Sequence, residues 1–294
     1  MNIAIVGCGD IGVPTGRLLL DEGHSVTGIR RNVAQLPDWL DSISADVSDR
    51  RTLEFLSTRS FDVVLYILAA SGFNESAYRS AYVNGVTNTL DALGSQLHSL
   101  KRFVFVSSTS VYHQNDGSLV DENSPTEPGS FNGQLVLEGE RIVTAHTNAT
   151  MVRFSGIYGP GRTRMIERVR NKLFSDPDDR GYTNRIHVED CAGVLVHVMG
   201  LVEQGAAESH YLASDSAPCA RVELESFLAD ELGITAKQRA EESRHQRADN
   251  SKRIAGSKRC NNARLLQSGY RFLHPDFRSG YRQVLASART KAPV

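Results

Sequence analysis

The sequence predicts an α/β fold in which a doubly wound, mostly parallel β-sheet is followed by a smaller C-terminal region. Over about the first 160 residues, short runs rich in strand-forming residues alternate with longer stretches of helical periodicity, as in parallel strands joined by helices. The run Val63-Val64-Leu65-Tyr66-Ile67-Leu68 is continuously apolar, as expected of a strand buried on both faces of such a sheet. With 294 residues, 40% hydrophobic and 23% charged, the chain can bury one large core or two modest ones.

The predicted elements follow this pattern from the N-terminus onward. Each predicted strand is a short run rich in branched or aromatic residues, and each predicted helix has apolar residues at spacings of three and four. We predict strands at Asn2–Val6, Ser25–Ile29, Ser42–Ala45, Asp62–Leu68, Arg102–Ser107, Thr150–Phe154 and His210–Ala213. We predict helices at Thr15–Glu22, Arg51–Arg59, Glu75–Leu97, Gln134–Ala145 and Arg162–Lys172.

The loop after the first predicted strand carries the pattern G-x-G-x-x-G at Gly7, Gly9 and Gly12. In a dinucleotide site the first glycine permits a tight turn, the second lets the backbone approach a pyrophosphate, and the third lets the next helix pack closely. Because a strand precedes this loop and a helix follows it, the motif favours a Rossmann-type cofactor site over an ordinary turn. We therefore expect cofactor contacts from Gly7, Gly9, Asp10, Ile11 and Gly12.

The end of the second predicted strand distinguishes the two nicotinamide cofactors. A site for NAD usually places Asp or Glu about twenty residues after the glycines, where the carboxylate binds the ribose 2′-OH. Arg30, Arg31 and Asn32 stand there instead, and the next acid is Asp38. Guanidinium groups bind phosphate in a bidentate manner, so the two arginines favour NADP and make NAD the weaker candidate. The alternative is a solvated arginine pair at a strand end.

The chain changes character at about residue 160, where Gly159-Pro160-Gly161 interrupts the alternating pattern. We predict an NADP-binding Rossmann domain over 1–160, completed by about 186–214, where a strand and a helix resume. Residues 161–185 and 215–294 are predicted to form a substrate-side region. Within it, residues 237–259 carry eight Lys/Arg against three acids, which either face an anionic substrate or form a solvated surface.

Charge and cysteine usage limit the expected partners. The formal net charge of −1 gives no general attraction to nucleic acid or to an anionic membrane, so we expect a small-molecule substrate. The four cysteines are far apart and have no zinc-site spacing, which predicts reduced thiols, no metal site and a cytoplasmic location. The longest apolar run, Val63–Ala70, is too short to span a bilayer.

Several further motifs occur in order along nearly the whole chain. They are Asp46-Val47, Leu68-Ala69-Ala70, Val106–Tyr112, Arg153–Gly161, Arg185–Asp190 and Lys258–Leu266. With these motifs the chain resembles the extended or atypical branch of the short-chain dehydrogenase/reductase superfamily, also called the NAD-dependent epimerase/dehydratase family. The resemblance implies that Asp46 and Val47 meet the adenine ring, and that Leu68, Ala69 and Ala70 lie along the cofactor.

The chain departs from the catalytic pair that the resemblance implies. Relatives use Tyr-x-x-x-Lys, in which the tyrosine is the general acid/base and the lysine lowers its pKa. In one alignment Phe131 and Leu135 take these two positions, and in the other register Asn132 and Val136 take them. No lysine occurs from residue 102 to residue 171, so a shift of one helical turn does not restore the motif.

Two residues near the end of the fifth predicted strand are the remaining catalytic candidates. The resemblance places Ser108 at the family's catalytic Ser/Thr position; the alternative is a turn hydroxyl bonded to backbone. Tyr112 lies four residues further on and is a candidate substitute proton donor, with a packing role as its alternative. The resemblance also implies that Tyr158 and His187 line the substrate side. Arg162 follows the Gly-Pro-Gly turn and is a candidate to bind a carboxylate or phosphate. Each of the three is equally consistent with a structural or solvated role.

The leading functional hypothesis is an NADP-dependent oxidoreductase or epimerase of a small polar, sugar-like molecule. A chain without the usual pair also fits a non-catalytic NADP-binding redox sensor or scaffold. A third alternative is a dehydratase, isomerase or cyclase without net redox chemistry. By analogy with relatives, a homodimer would form through the predicted helices Glu75–Leu97 and Gln134–Ala145.

Overall fold

The computed structural model describes residues 1–239, 242 and 257–290, which divide into two compact units. Unit 1 comprises Met1–His113, Pro125–Phe154 and Cys191–Leu212, and unit 2 comprises Gln114–Ser124, Ser155–Asp190 and the described residues from Ala213 onward. Most of the basic stretch at 237–259 lies outside the described residues, so its role stays a prediction. The domain roles predicted from the sequence likewise stay predictions.

Unit 1 is built on a seven-stranded sheet with the order β11-β7-β5-β4-β1-β2-β3. Its strands are β1 (Asn2–Val6), β2 (Ser25–Arg30), β3 (Asp41–Ser44), β4 (Val63–Tyr66), β5 (Arg102–Ser108), β7 (Ala149–Phe154) and β11 (His210–Ala213). All neighbours from β3 to β7 pair in parallel, which confirms the predicted α/β sheet. Because β1 pairs with β2 on one side and β4 on the other, the strand order reverses there, where such sheets bind ligands.

The helices of unit 1 differ from the prediction in one informative place. They are α1 (Gly12–Asp21), α2 (Glu75–Arg79), α3 (Gly85–Leu93), α4 (Phe131–His146) and most of α6 (Val188–Glu203). The single helix predicted at 75–97 is divided by a π-helical turn at Ser80–Asn84 and ends in a 3₁₀ turn at Gly94–His98. The predicted helix at 51–59 is a 3₁₀ helix, Arg50–Ser57.

The π-helical turn has a specific tertiary cause. The Tyr66 hydroxyl donates a 2.6 Å hydrogen bond to the Ala81 carbonyl oxygen inside that turn. A Cβ placed on Gly85 would lie 2.6 Å from the same hydroxyl, so the helix passes close to Tyr66 at this glycine. Tyr66 is itself fixed in the core by stacked rings of Phe103 and Phe105. Strand β4 therefore sets the irregular path of the helix that follows it.

Unit 2 consists of short strand pairs and helices. Its strands are β6 (Leu119–Val120), β8 (Gly156–Tyr158), β9 (Tyr182–Thr183), β10 (Arg185–His187), β12 (Cys219–Ala220) and β13 (Arg259–Cys260). They pair as β8 with β10 and β6 with β13 in parallel, and β9 with β12 antiparallel. Its helices are α5 (Arg164–Arg170), α7 (Arg221–Glu231), α8 (Ala263–Gln267) and α9 (Phe277–Thr290).

The core of unit 2 is a separate hydrophobic cluster. It packs Tyr158 and Tyr281 in a stack, with ring centroids 4.2 Å apart, beside Phe277, Leu224 and Leu228. In the described parts of both units, no helix has the length and apolar character needed to cross a membrane.

Candidate functional site

A cleft of about 570 Å³ opens in unit 1 at the carboxyl ends of β1, β2 and β4. Its lining includes most of the residues predicted to bind the cofactor: Gly7, Gly9, Asp10, Arg30, Arg31, Asp46, Val47, Leu68 and Ala69. The predicted residues Ile11, Gly12 and Ala70 adjoin these positions in the chain but are not part of the lining. The fold thus gathers four separate sequence motifs around one cavity.

The glycine loop has the geometry that a phosphate cradle requires. Gly7 has φ +83°, and a Cβ there would lie 2.7 Å from the Ile67 carbonyl oxygen, so no side chain fits. At Gly9 an added Cβ would meet only the Gly7 oxygen, 3.8 Å away, which leaves the backbone open toward the cleft. A Cβ at Gly12 would lie 3.1 Å from Ile5 Cγ2, because α1 packs closely on β1. These three environments fit a bound pyrophosphate.

Helix α1 adds a favourable dipole to the same wall. Its N-cap residue is Ile11, which offers no side-chain hydrogen bond to the first turn. In the first turn Val13 and Thr15 already donate to the Gly9 and Ile11 carbonyl oxygens and Pro14 has no N–H, so the helix dipole is what makes this end attractive to anions. Because Ile11 makes no capping hydrogen bond, no side-chain cap competes with a bound anion at this end of α1.

Two arginines and an aspartate lie at the far end of the cleft. Arg30 donates a 2.5 Å hydrogen bond from Nη2 to Gln35 Oε1, and it retains further donors. The Arg31 side chain is 72% exposed, and its Nη1 is 4.0 Å from Asp46 Oδ2. Asp46 Oδ1 instead accepts hydrogen bonds from the backbone and side chain of Ser48. Arg31 is therefore only loosely held and can turn toward an added anion.

The carboxyl end of β5 carries the two candidate catalytic residues. Ser108 is half-buried, and its Oγ accepts a 3.1 Å hydrogen bond from the Ser110 N–H, which leaves its own hydroxyl proton to donate. Tyr112 is 3% exposed, and its hydroxyl accepts a 2.9 Å hydrogen bond from Arg153 Nη1. The Arg153 guanidinium also lies 5.1 Å from the Tyr112 ring centroid. Tyr112 is thus packed in a buried network, but a hydroxyl that accepts a hydrogen bond keeps its own proton, so both roles weighed for Tyr112 stay predictions.

A buried ion pair behind Ser108 was not predicted. Arg153 binds Glu140 in a bidentate manner, with Nε 2.9 Å from Oε1 and Nη2 2.7 Å from Oε2. The Ser107 hydroxyl donates to the same Glu140 Oε1 at 2.5 Å. Burial lowers the pKa of Arg153, but the hydrogen bonds and charge of Glu140 outweigh it, so the pKa lies above its usual value. The pair links β5, α4 and β7 at the end where Ser108 lies.

A signal for this pair existed in the sequence. Glu140 lies on the face of α4 that also presents Val136 and Val143 at helical spacing, and all three are buried. Arg153 interrupts an otherwise apolar predicted strand. Two opposite charges at core-facing positions of neighbouring elements indicate a buried pair, since an unpaired buried charge is very costly.

Helix α4 begins beside the carboxyl end of β5, where the candidate catalytic residues lie, and it contains neither tyrosine nor lysine. A Cβ on Gly133 would lie 2.3 Å from the Ser110 carbonyl oxygen, so the first turn of α4 contacts the turn after Ser108. Phe131, the first residue of the helix, packs against Phe73 and Tyr78 with ring centroids 5.2 and 5.6 Å apart. In the alignment that puts Phe131 at the tyrosine position, an aromatic cluster thus occupies that place.

The three predicted substrate residues lie in unit 2. Tyr158 is 1% exposed, with its hydroxyl lacking a hydrogen-bond partner among the described residues, and burial raises its pKa well above the usual value. His187 is fully buried, and burial first and the neighbouring His274 second lower its pKa. The Arg162 N–H donates to the Gly159 carbonyl in the turn before α5. Tyr158 and His187 are in contact, whereas their predicted substrate role stays a prediction.

Comparison with known proteins places the chain in a family. The model of the NAD dependent epimerase/dehydratase family matches residues 3–213. A solved structure from Methylobacillus flagellatus, a putative NAD-dependent epimerase/dehydratase, is 35% identical, covers 98% of both chains and has a TM-score of 0.83. Protein YeeZ of Escherichia coli K12 is 27% identical over 66% of this chain and 71% of its own length. UDP-glucose 4-epimerase of Corynebacterium glutamicum is 28% identical over 69% of this chain and 71% of its own length. The chain belongs to the NAD dependent epimerase/dehydratase family.

Proposed function

We propose that this member of the epimerase/dehydratase family is an NADP-dependent oxidoreductase or epimerase of a small polar, sugar-like substrate. The observation that carries the proposal is the cleft of unit 1, which has an open glycine loop along one wall and two arginines at its far end. The likeness to a UDP-glucose 4-epimerase supports the sugar-like substrate class.

Different residues of the cleft would bind different parts of the cofactor. When bound, the dinucleotide supplies hydride transfer at its nicotinamide, and the protein supplies binding and orientation. Gly9 and the N-terminus of α1 would hold the pyrophosphate. Asp46 and Val47 would hold the adenine side, and Arg30 and Arg31 would bind the 2′-phosphate through their guanidinium forks. The loose contact of Arg31 supports NADP over NAD, because that side chain has no strong competing partner in the cleft.

Ser108 is our proposed catalytic residue. Its hydroxyl accepts from the Ser110 N–H and keeps its own proton, at the carboxyl end of β5. There it would donate to the substrate oxygen that is bonded to the carbon gaining or losing the hydride. Tyr112 is a positioning residue in this proposal, because its hydroxyl is held by Arg153 in the buried network behind the strand. Loss of a general acid/base typically slows a reaction by about 10²–10⁴-fold and leaves hydride transfer possible.

The experiment is a turnover assay with NADPH and a panel of aldehydes, ketones and keto-sugars, followed by loss of nicotinamide absorbance. We expect turnover on at least one polar carbonyl substrate. Ser108→Ala should lower kcat by about tenfold or more, as expected on losing one transition-state hydrogen bond, without changing the Kd of NADPH. Ser110→Ala is the matched control, since only the backbone of Ser110 contacts Ser108, and it should retain full turnover.

The second candidate is a non-catalytic NADP-binding sensor, which the absence of Tyr and Lys from α4 favours. Tight NADPH binding without turnover on any carbonyl, with different affinities for NADPH and NADP⁺, would replace our proposal by this one. The homodimer and the cytoplasmic location stay predictions; the four free, buried cysteines fit a reducing compartment.

A further inference from the structure

Unit 2 contains a cluster of two histidines and one glutamate that the cofactor chemistry does not use. His187 ends β10, Glu189 lies in the first turn of α6, and His274 lies in the segment before α9. One ligand atom from each of them lies within 4.8 Å of the other two. Among the described residues this is the one such group of three His, Cys, Asp or Glu side chains.

Two distances within the cluster bracket the ligand separation of a tetrahedral zinc site. His274 Nε2 is 2.9 Å from Glu189 Oε2, and His187 Nδ1 is 3.7 Å from the same oxygen. Tetrahedral zinc with ligand bonds near 2.0–2.1 Å holds its ligand atoms about 3.3 Å apart. The two imidazole rings are already adjacent, with centroids 3.9 Å apart. All three ligand atoms lie within 4.8 Å of one another, and binding an ion would bring them to about 3.3 Å.

The Nδ1 nitrogen of His187 carries the lone pair of the imidazole ring. The Glu189 backbone N–H lies 3.3 Å from His187 Nδ1, so Nδ1 is the acceptor nitrogen of the ring. A metal requires this unprotonated nitrogen. The contact is long for a hydrogen bond, and an ion bound at Nδ1 would replace it. His187 is fully buried, which fixes the ring, whereas the Glu189 side chain is 47% exposed and gives an ion access from solvent.

Further hydrogen bonds hold the backbone at His274 and the carboxylate of Glu189. The fully buried Asp190 accepts hydrogen bonds from the backbone N–H groups of Leu273 and His274, at 2.8 and 3.0 Å. Gln283 Nε2 lies 3.4 Å from Glu189 Oε1 and can orient that carboxylate. Such outer contacts are typical of metal sites, since they orient the ligands in advance.

From this geometry we propose that His187, Glu189 and His274 bind a Zn²⁺-type divalent transition-metal ion, with water as the fourth ligand. Two imidazoles and a carboxylate are the donor set that suits zinc and its neighbours rather than magnesium or calcium. The ion would tie the turn between β10 and α6 to the segment before α9, and so stabilise unit 2. This site is independent of NADP binding.

The test uses the full-length, tag-free protein after chelator treatment. Co²⁺ is titrated in and followed by visible absorption, and Zn²⁺ affinity is then measured by competition with a chromophoric chelator. We expect one Co²⁺ per chain with the intense spectrum of a tetrahedral site, displaced by Zn²⁺, together with a higher Tm in Zn²⁺. His274→Ala and Glu189→Gln should each lower the Zn²⁺ affinity at least tenfold.

His98→Ala is the control, because His98 is an exposed histidine of unit 1 and should leave the affinity unchanged. If His274→Ala fails to fold, the Zn²⁺ affinity of Glu189→Gln still tests the site. The Glu189 carboxylate is half-exposed and glutamine has nearly the same shape, so this variant is expected to fold. The proposal is wrong if the wild type binds no Co²⁺ at micromolar concentration, or if its spectrum is octahedral. It is equally wrong if both variants bind Zn²⁺ as tightly as the wild type does, because the ion would then lie elsewhere, for example on cysteine.

Discussion

The buried pair between Glu140 and Arg153 makes a quantitative prediction about unit 1. Both side chains are 4% exposed, and Glu140 accepts two hydrogen bonds from Arg153 and one from Ser107. Glu140→Gln removes the negative charge and leaves the arginine charge buried without compensation. Breaking a buried pair in this way costs about 3–5 kcal/mol, and we expect about 3 kcal/mol here because glutamine keeps one oxygen acceptor.

The assay is urea unfolding followed by tryptophan fluorescence. Trp39 is the single tryptophan of the chain and lies in unit 1, so its emission reports on the unit that contains the pair. For a urea m-value of about 2–3 kcal/mol/M, a loss of about 3 kcal/mol moves the midpoint down by about 1 M. The double variant E140L/R153M should be more stable than E140L alone, because it leaves no unpaired charge in the core.

Glu138→Gln is the matched control on the same helix. Glu138 faces Arg79 at 3.6 Å with both side chains 45% exposed, and exposed pairs contribute only about 0–1 kcal/mol. A midpoint shift in E140Q no larger than that in E138Q would refute the reasoning, since the Glu140 pair would then behave like a surface pair.

Two other predictions concern the glycine loop and a buried acid. Gly7→Ala should abolish NADPH binding, measured by titration with NADPH fluorescence as the signal, because its Cβ would lie 2.7 Å from the Ile67 carbonyl oxygen. Gly23→Ala is the control, since Gly23 has a similar φ but open space around it, and this variant should keep NADPH binding. Burial raises the pKa of Asp215 to about 7 from 3.8, so the folded state favours the protonated form, and stability is lost as pH rises from about 4 to 7. We expect Asp215→Asn to remove this loss, up to about 4 kcal/mol, which Tm values at pH 5 and pH 8 would reveal; equal pH dependence in both proteins would contradict it.

The features that the sequence predicted well depend on local patterns. The strands at 2–6 and 102–108 are short and buried, and their apolar runs identify them directly. The glycine loop and the arginines after β2 are recognisable because phosphate binding imposes residue types at fixed spacing. Local patterns therefore identified part of the lining of one cavity.

The features that the sequence missed depend on contacts between distant residues. The π-helical turn exists because Tyr66, fifteen residues before Ala81, donates into it, and no helical periodicity carries that information. The hydrogen bond from Arg153 to the Tyr112 hydroxyl joins two residues 41 positions apart, and no local pattern indicates it. The cluster of His187, Glu189 and His274 likewise depends on His274, which lies 85 positions after Glu189, so the sequence showed no metal-ligand spacing.

The central claim is that the cleft of unit 1 binds NADP through Arg30 and Arg31, and its most direct test is the ratio of NADPH to NADH affinity. We expect the wild type to bind NADPH at least tenfold more tightly than NADH, as measured by isothermal titration. R30A/R31A should reduce this ratio to near one, while R17A, which removes an exposed α1 arginine paired with Asp21 and outside the cleft, should leave it unchanged. Equal affinity for both cofactors in the wild type, or an unchanged ratio in R30A/R31A, would contradict the account.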